Sequence, residues 1–135
     1  TLRYLEGKLN ESNIKCVRID GSVPSTPDEP ETDLRRHRIE QFRDDPETMV
    51  MLSSQVGSEG LDFQFCDTVV NWDIPWNPMV VEQRIGRIDR IGQKFPMTYI
   101  DILAEDTVDE RIVKALRKKI NIATQVMGEE LKDWI

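Results

Sequence analysis

The sequence is poor in the residues from which most self-sufficient catalytic centres are built. Its 135 residues hold a single histidine, His37, and two cysteines, Cys16 and Cys66. The cysteines stand in or beside apolar stretches far apart, with no second pair to complete a zinc site, so both read as reduced core thiols. His37 lies in an arginine-rich polar segment and reads as solvent-facing, which leaves no Ser-His-Asp or Cys-His nucleophile and no His/Cys/carboxylate metal cluster. No apolar run approaches the ~20 residues of a membrane helix, and Thr1 to Asn10 lacks the apolar centre of a signal peptide. The chain therefore reads as soluble and intracellular, without a membrane partner. Also missing is any Gly-x-x-x-x-Gly-Lys-Ser/Thr, and the Asp-Glu pairs stand at Asp28 and Asp109, neither behind a buried strand. The parts that cradle phosphates and hold magnesium are thus not in this sequence. A net charge of −7 also lacks the basic footprint of a free-standing nucleic-acid binder. Locally the sign reverses: acid concentrates at Asp28, Glu29, Glu31 and Asp33, while Arg84, Arg87, Arg90 and Lys94 crowd one short stretch.

What is present has the pattern of an α/β domain. With 39% hydrophobic and 32% charged residues, the length favours one compact domain over 1–135. Short β-branched runs alternate with helical periodicities, as in a parallel sheet. Four mostly apolar runs are predicted strands, Ile14 to Ile19, Met49 to Ser53, Thr68 to Trp72 and Met97 to Leu103, in keeping with strands covered on both faces. Helical segments are predicted at Thr1 to Leu9, Leu34 to Phe42 and Pro78 to Arg90. A long C-terminal helix covers about 107–128, with Thr107 as its N-cap and Asp109 and Glu110 in its first turn. Its apolar stripe is Val108, Ile112, Leu116 and Ile120. Arg111, Lys114, Arg117, Lys118 and Lys119 decorate it, either as a solvated face or as a contact to DNA. Residues 22–33, with Pro24, Pro27 and Pro30 among acids, cannot be helix or strand interior. They read as an acidic surface loop inserted in the domain, although the composition also suits a linker.

The densest chemistry runs from Trp76 to Gln93. Asn77 followed by Pro78 is a helix start: a capping side chain, then the residue whose missing N–H costs nothing at the first position. At roughly 100° per residue, Gln83, Arg87 and Arg90 share one face, and Val81, Ile85 and Ile88 the opposite one. An ordinary amphipathic helix would carry mixed charges at i, i+4; here two arginines and an amide share the stripe, beside Gly86, which allows close backbone approach. Guanidiniums are permanently charged planar forks, and two on a rigid helix suit a polyphosphate whose charge spreads during transfer. Ser53 to Gln64 follows an apolar strand with hydroxyls and glycines, where parallel sheets bind ligands, although any strand exit can carry such residues.

Together these stretches resemble a known family. Gln83-x-x-Gly86-Arg87-x-x-Arg90 resembles motif VI of superfamily 2 helicases, and its continuation through Ile91, Gly92 and Gln93 is similar to the Swi/Snf form. Ser53 to Gln64 resembles motif V. Ile19-Asp20-Gly21-Ser22 resembles the short block after the lobe's early strand, and Asp106 to Ile112 the family's terminal helix. The resemblance implies a RecA-like three-layer lobe, with a mainly parallel sheet, helices on both faces and a long C-terminal helix. It implies that Arg87 and Arg90 are arginine fingers, that Gln83 sits near the nucleotide phosphates and that Gly60 and Asp62 border the ribose. Gly21, Ser22, Ser53 and Ser54 would contact the DNA backbone, with Trp76 near the strand; such contacts position a motor without reading sequence. ATP with Mg2+ would be held mainly by an N-terminal ATPase lobe that this sequence lacks, so the isolated chain is expected to be inactive. Asp89 stands where eukaryotic remodellers carry His, and Asp73 to Pro78 and Glu82 to Arg87 are closer to the bacterial branch that recycles RNA polymerase. This adds RNA polymerase to double-stranded DNA and the first lobe as expected partners. Location follows source: nucleoid-associated cytoplasm in a prokaryote, nucleus in a eukaryote. Two rivals share part of the pattern, an RNA helicase lobe of DEAD-box type and an interaction domain that keeps the fold without catalysis.

Overall fold

The computed structural model describes residues 1–29, 31–55, 63–89, 91 and 93–127, the last five of these by helical backbone alone. The chain divides into two compact units, Thr1–Leu61 and Asp62–Ile135.

In the first unit, helix α1 (Leu2–Glu11) leads through Asn13, at φ 59°, into strand β1 (Cys16–Ile19). Asparagine is among the few residues that take this left-handed turn at low cost. Helix α2 (Leu34–Asp44) then returns the chain to strand β2 (Val50–Ser53). The two strands run parallel, in register from Cys16 opposite Val50 to Ile19 opposite Ser53. Parallel neighbours require a crossover, and α2 provides it. β1 alternates, as a pleated strand must, so that Val17 and Ile19 are buried. α2 begins where Asp33, itself buried, accepts the Arg36 N–H at 3.3 Å. The described part of the proline-rich loop bonds to itself: the Thr32 hydroxyl donates to the Glu29 carbonyl (3.2 Å) and carboxylate (3.1 Å) and lies 3.2 Å from the Thr26 hydroxyl.

The second unit repeats the arrangement. Strand β3 (Thr68–Asn71), helix α3 (Pro78–Ile85) and strand β4 (Thr98–Asp101) form a second parallel crossover, in register from Thr68 opposite Thr98 to Asn71 opposite Asp101. Helix α4 (Val108–Met127) packs on α3. The core joins Ile74 and the buried face of α3, Val81 and Ile85, to Ile112, Val113 and Leu116 of α4, with Tyr99 packed against it.

Each predicted strand is found, trimmed by one to three residues, and among the described residues the four strands form two parallel pairs, one per unit. The fold is α/β, with parallel strands and crossover helices. Asn77 caps α3 through the Met79 N–H (3.0 Å), with Pro78 in the first turn, and the Thr107 hydroxyl accepts the Asp109 N–H (3.2 Å) at the start of α4.

Two expectations are corrected. The helix predicted to reach Arg90 ends at Ile85, with Gly86 as its C-cap. There the Arg87 and Ile88 N–H groups bond three residues back, to Arg84 (3.4 Å) and Ile85 (3.0 Å), so the α-helical ladder tightens into a turn. On α4, Val108 is 54% exposed and Val113 takes its place in the core. Side chains lean toward the helix N-terminus, so the first residue overhangs the open end of the helix.

Candidate nucleotide and nucleic-acid sites

In the first unit, Gly21, Ser22, Ser53 and Ser54 gather at one edge. The register sets Ile19 opposite Ser53, so both strands end together, and the Ser54 N–H donates to the Ile19 carbonyl (3.2 Å). Gly21, Ser22 and Ser53 are exposed and Ser54 is half-buried. The Gly21–Ser22 turn is braced by Asp20. Its carboxylate accepts the Ser22 hydroxyl and the Ser22 N–H (2.8 Å), and Arg18 pairs with it as well. Arg18 in turn bonds Glu6 of α1 at 2.9 Å. The bonds from the Ser22 hydroxyl and amide, with Arg18 adding to them, hold the Asp20 carboxyl down at about 2. The Val23 N–H closes the turn on the Asp20 carbonyl (3.1 Å).

In the second unit, Gln83 is exposed on α3, while Arg87 is half-buried on the turn that follows. The opposite face is closed, since Val81, Ile85 and Ile88 are all at most 6% exposed. Gly86 keeps a right-handed conformation (φ −60°, ψ −9°), so the tightened turn still separates polar from apolar positions much as a continued helix would. A Cβ on Gly86 would come within 3.2 Å of the Glu82 carbonyl oxygen, tighter than an ordinary contact. Trp76 is 54% exposed before α3, and its carbonyl accepts the Lys119 ammonium (2.9 Å) from α4. Arg111, Lys114, Arg117 and Lys118 are exposed on α4. Gly60, Asp62 and Arg90 lie outside the described residues. The described residues therefore put the expected DNA-backbone group at one edge of the first unit, and Trp76, Gln83 and Arg87 in the second.

Three structural roles escaped the reading of the sequence. Arg84, one of the basic cluster, is an anchor: its guanidinium donates to the Asp73 carbonyl (2.8 Å) and to Oδ1 of buried Asn71 (3.4 Å). Asn71 also donates to the Asp101 carboxylate (2.7 Å), its register partner on β4. The helical wheel held the signal, because Arg84 flanks the Ile88 side of α3. Gln93 is a staple: Nε2 donates to the carbonyls of Cys66 (2.8 Å) and Ile88 (3.2 Å), while Oε1 accepts the N–H groups of Lys94 (3.0 Å) and Phe95 (3.4 Å). Asp20, quoted in the sequence only as a neighbour of Gly21, organises its turn. Both cysteines are free and half-buried, and burial pushes both thiols up, so they stay protonated near neutral pH. Among the described residues no cluster of His, Cys, Asp and Glu could hold a metal ion, and no helix is long and apolar enough to cross a membrane.

The profile of the family described as helicase conserved C-terminal domain matches residues 1–92. The chain belongs to that family. Its relatives make it a C-terminal helicase lobe of Swi/Snf type. The lobe is 36% identical over 126 residues to the uncharacterized ATP-dependent helicase YqhH of Bacillus subtilis (strain 168), covering 93% of this chain and 21% of that protein. It is 33% identical over 130 residues to the helicase-like transcription factor CHR27 of Arabidopsis thaliana, covering 96% of this chain and 12% of that one. Among solved structures, the C-terminal part of the Fun30 ATPase domain matches with a TM-score of 0.72 at 25% identity, covering 85% of this chain and 35% of the other. The lobe therefore has a RecA-like fold and spans about a fifth or less of these curated relatives.

Proposed function

We propose that this lobe is the second motor lobe of an ATP-dependent double-stranded DNA translocase. In this reading Arg87 and Arg90 are arginine fingers, Gln83 faces the nucleotide phosphates, Gly60 and Asp62 border the ribose, and the edge formed by Gly21, Ser22, Ser53 and Ser54, with Trp76, meets the DNA backbone. The observation that supports it most is the gathering of those four small polar residues where two parallel strands end together, the position at which α/β sheets take ligands. Small side chains let the backbone approach a phosphate closely, and a phosphate contact positions the motor without reading sequence.

The described residues fit the nucleotide in one respect. Polyphosphate offers only acceptors, and the guanidinium of Arg87, half-buried beside a closed apolar face, is a forked, permanently charged donor. Bound ATP with Mg2+ supplies the phosphoryl group and its metal. This lobe contributes charge against the developing negative oxygens, and it is inactive without an N-terminal ATPase lobe that holds the rest. The sequence likeness at Asp73 to Pro78 and Glu82 to Arg87 adds RNA polymerase as the cargo to be tested. The motor would work in the nucleoid-associated cytoplasm of a prokaryote or in a eukaryotic nucleus.

The test is DNA-stimulated ATP hydrolysis by the full-length protein. Arg87→Ala and Arg90→Ala are each expected to lower turnover by roughly 10³-fold or more. Turnover unchanged in both variants overturns the finger assignment. Stimulation by RNA in place of duplex DNA overturns the DNA-translocase reading in favour of an RNA helicase activity of the kind DEAD-box proteins have, and wild-type protein that hydrolyses no ATP assigns the lobe to a non-catalytic interaction domain.

A further inference from the structure

Two turns of the second unit are joined by one direct backbone hydrogen bond and by a side chain that bonds to both. One turn runs from Phe63 to Cys66 and is closed by the Cys66 N–H on the Phe63 carbonyl (2.9 Å). The other is the Gly86–Ile88 turn after α3, which carries Arg87. The Phe63 N–H donates to the Arg87 carbonyl (2.9 Å), and the Gln93 amide donates to both the Cys66 carbonyl (2.8 Å) and the Ile88 carbonyl (3.2 Å). Phe63 and Ile88 are buried beneath this clasp, at 8% and 2% exposure. The carboxamide oxygen of Gln93 is also engaged, accepting the Lys94 and Phe95 N–H groups.

From this geometry we infer that Gln93 is a positioning residue for the arginine turn: its carboxamide fixes the backbone of Arg87 and Ile88 against the Phe63–Cys66 turn. The inference rests on the proposed role of Arg87 for its functional consequence and on the hydrogen bonds alone for its structural one. A carboxamide suits the task because it donates two N–H groups and accepts through one oxygen in a single plane. The bonds of the Gln93 carboxamide run to backbone groups of Cys66, Ile88, Lys94 and Phe95, so it acts through where the arginine turn is held. Placement matters at this level, because a misplacement of about 1 Å can cost about 10²-fold in rate.

The two possible readouts separate structure from function. In the full-length protein, Gln93→Glu keeps the acceptor for Lys94 and Phe95 but turns the donor into a second acceptor facing two carbonyls. Gln93→Ala removes both, and Gln93→Lys restores a donor. Amide hydrogen exchange is expected to quicken at Phe63 and across residues 87–89 in the Glu and Ala variants and to recover in the Lys variant. The turnover of DNA-stimulated ATP hydrolysis is expected to fall roughly 10-fold to 100-fold in the Glu and Ala variants, with the DNA concentration for half-maximal stimulation unchanged. Wild-type exchange in both Glu and Ala variants, or a Lys variant no better protected than Glu, overturns the clasp. Quickened exchange with wild-type turnover, while Arg87→Ala is inactive, overturns the positioning role and leaves the finger standing. If Arg87→Ala retains full turnover, the finger falls and the exchange data still decide the clasp.

Discussion

Replacing Asp20 probes the brace under the Gly21–Ser22 turn, and the size of the effect follows from the bonds that its carboxylate makes. Asp20→Ala removes the acceptor for the Ser22 hydroxyl and N–H and one partner of Arg18. A hydrogen bond to a charged group contributes about 1.5–3 kcal/mol. Ser22 is exposed, so water recovers part of what it gives up, and Arg18 keeps Glu6 at 2.9 Å. The expected net loss is about 2 kcal/mol for Asp20→Ala and about 1 kcal/mol for Asp20→Asn, which keeps a neutral acceptor. The pH dependence has a definite sign. The Asp20 carboxyl is held at about 2 against an ordinary value of 3.8, so the folded state favours its charged form. That contribution is complete above the ordinary value and is lost as pH falls toward the folded one. Urea unfolding of wild type and Asp20→Asn at pH 7, 4 and 2.5 should therefore show a gap that is constant between the first two and shrinks at the third. A gap as wide at pH 2.5 as at pH 7, or a loss in Asp20→Ala below about 0.5 kcal/mol, would refute the brace.

Leu116→Ala opens a cavity in the core shared by α3 and α4 and is expected to cost about 3–4 kcal/mol by urea unfolding. Val108→Ala, on the same helix but 54% exposed, should cost less than about 0.5 kcal/mol; equal losses would contradict the packing described. Arg84→Ala strips buried Asn71 of one partner, with an expected loss of about 1–2 kcal/mol. In the full-length protein the turnover of DNA-stimulated ATP hydrolysis should fall less than 10-fold, far less than for Arg87→Ala, because Arg84 anchors structure; equal turnover defects would contradict that division of roles.

Much of the fold was legible because its signals are local. The cap at Asn77–Pro78 and the start of α4 at Thr107 are set by residues within one turn of each other. The strands announced themselves as β-branched runs. The end of α3 was less legible, since three-residue bonding after Gly86 depends on how the following turn packs rather than on propensity. The partner of Gln93 was invisible for the same kind of reason, since Cys66 lies 27 residues away in sequence, and although the helical wheel set Arg84 apart from the polar stripe, its acceptor Asn71, 13 residues away, was not legible. The candidate DNA edge shows the contrast best. Its residues were picked out by motif, but what brings Gly21 and Ser22 beside Ser53 and Ser54 is the parallel register of β1 on β2, which no local pattern encodes. Gly60, Asp62 and Arg90 remain readings of the sequence, outside the described residues.

The turn after β1 carries one further consequence. With the Ser22 proton and amide both committed to Asp20, and the Val23 amide to the Asp20 carbonyl, the N–H that meets no acceptor among the described residues is that of Gly21. A phosphate accepts and never donates, so at this corner the peptide, rather than the hydroxyl, is the natural grip. Serine here shapes the handle instead of being it. If the proposed DNA contact is made here, a change from Ser22 to threonine should be nearly silent, because the group offered to the phosphate is a backbone N–H, which every residue type but proline carries.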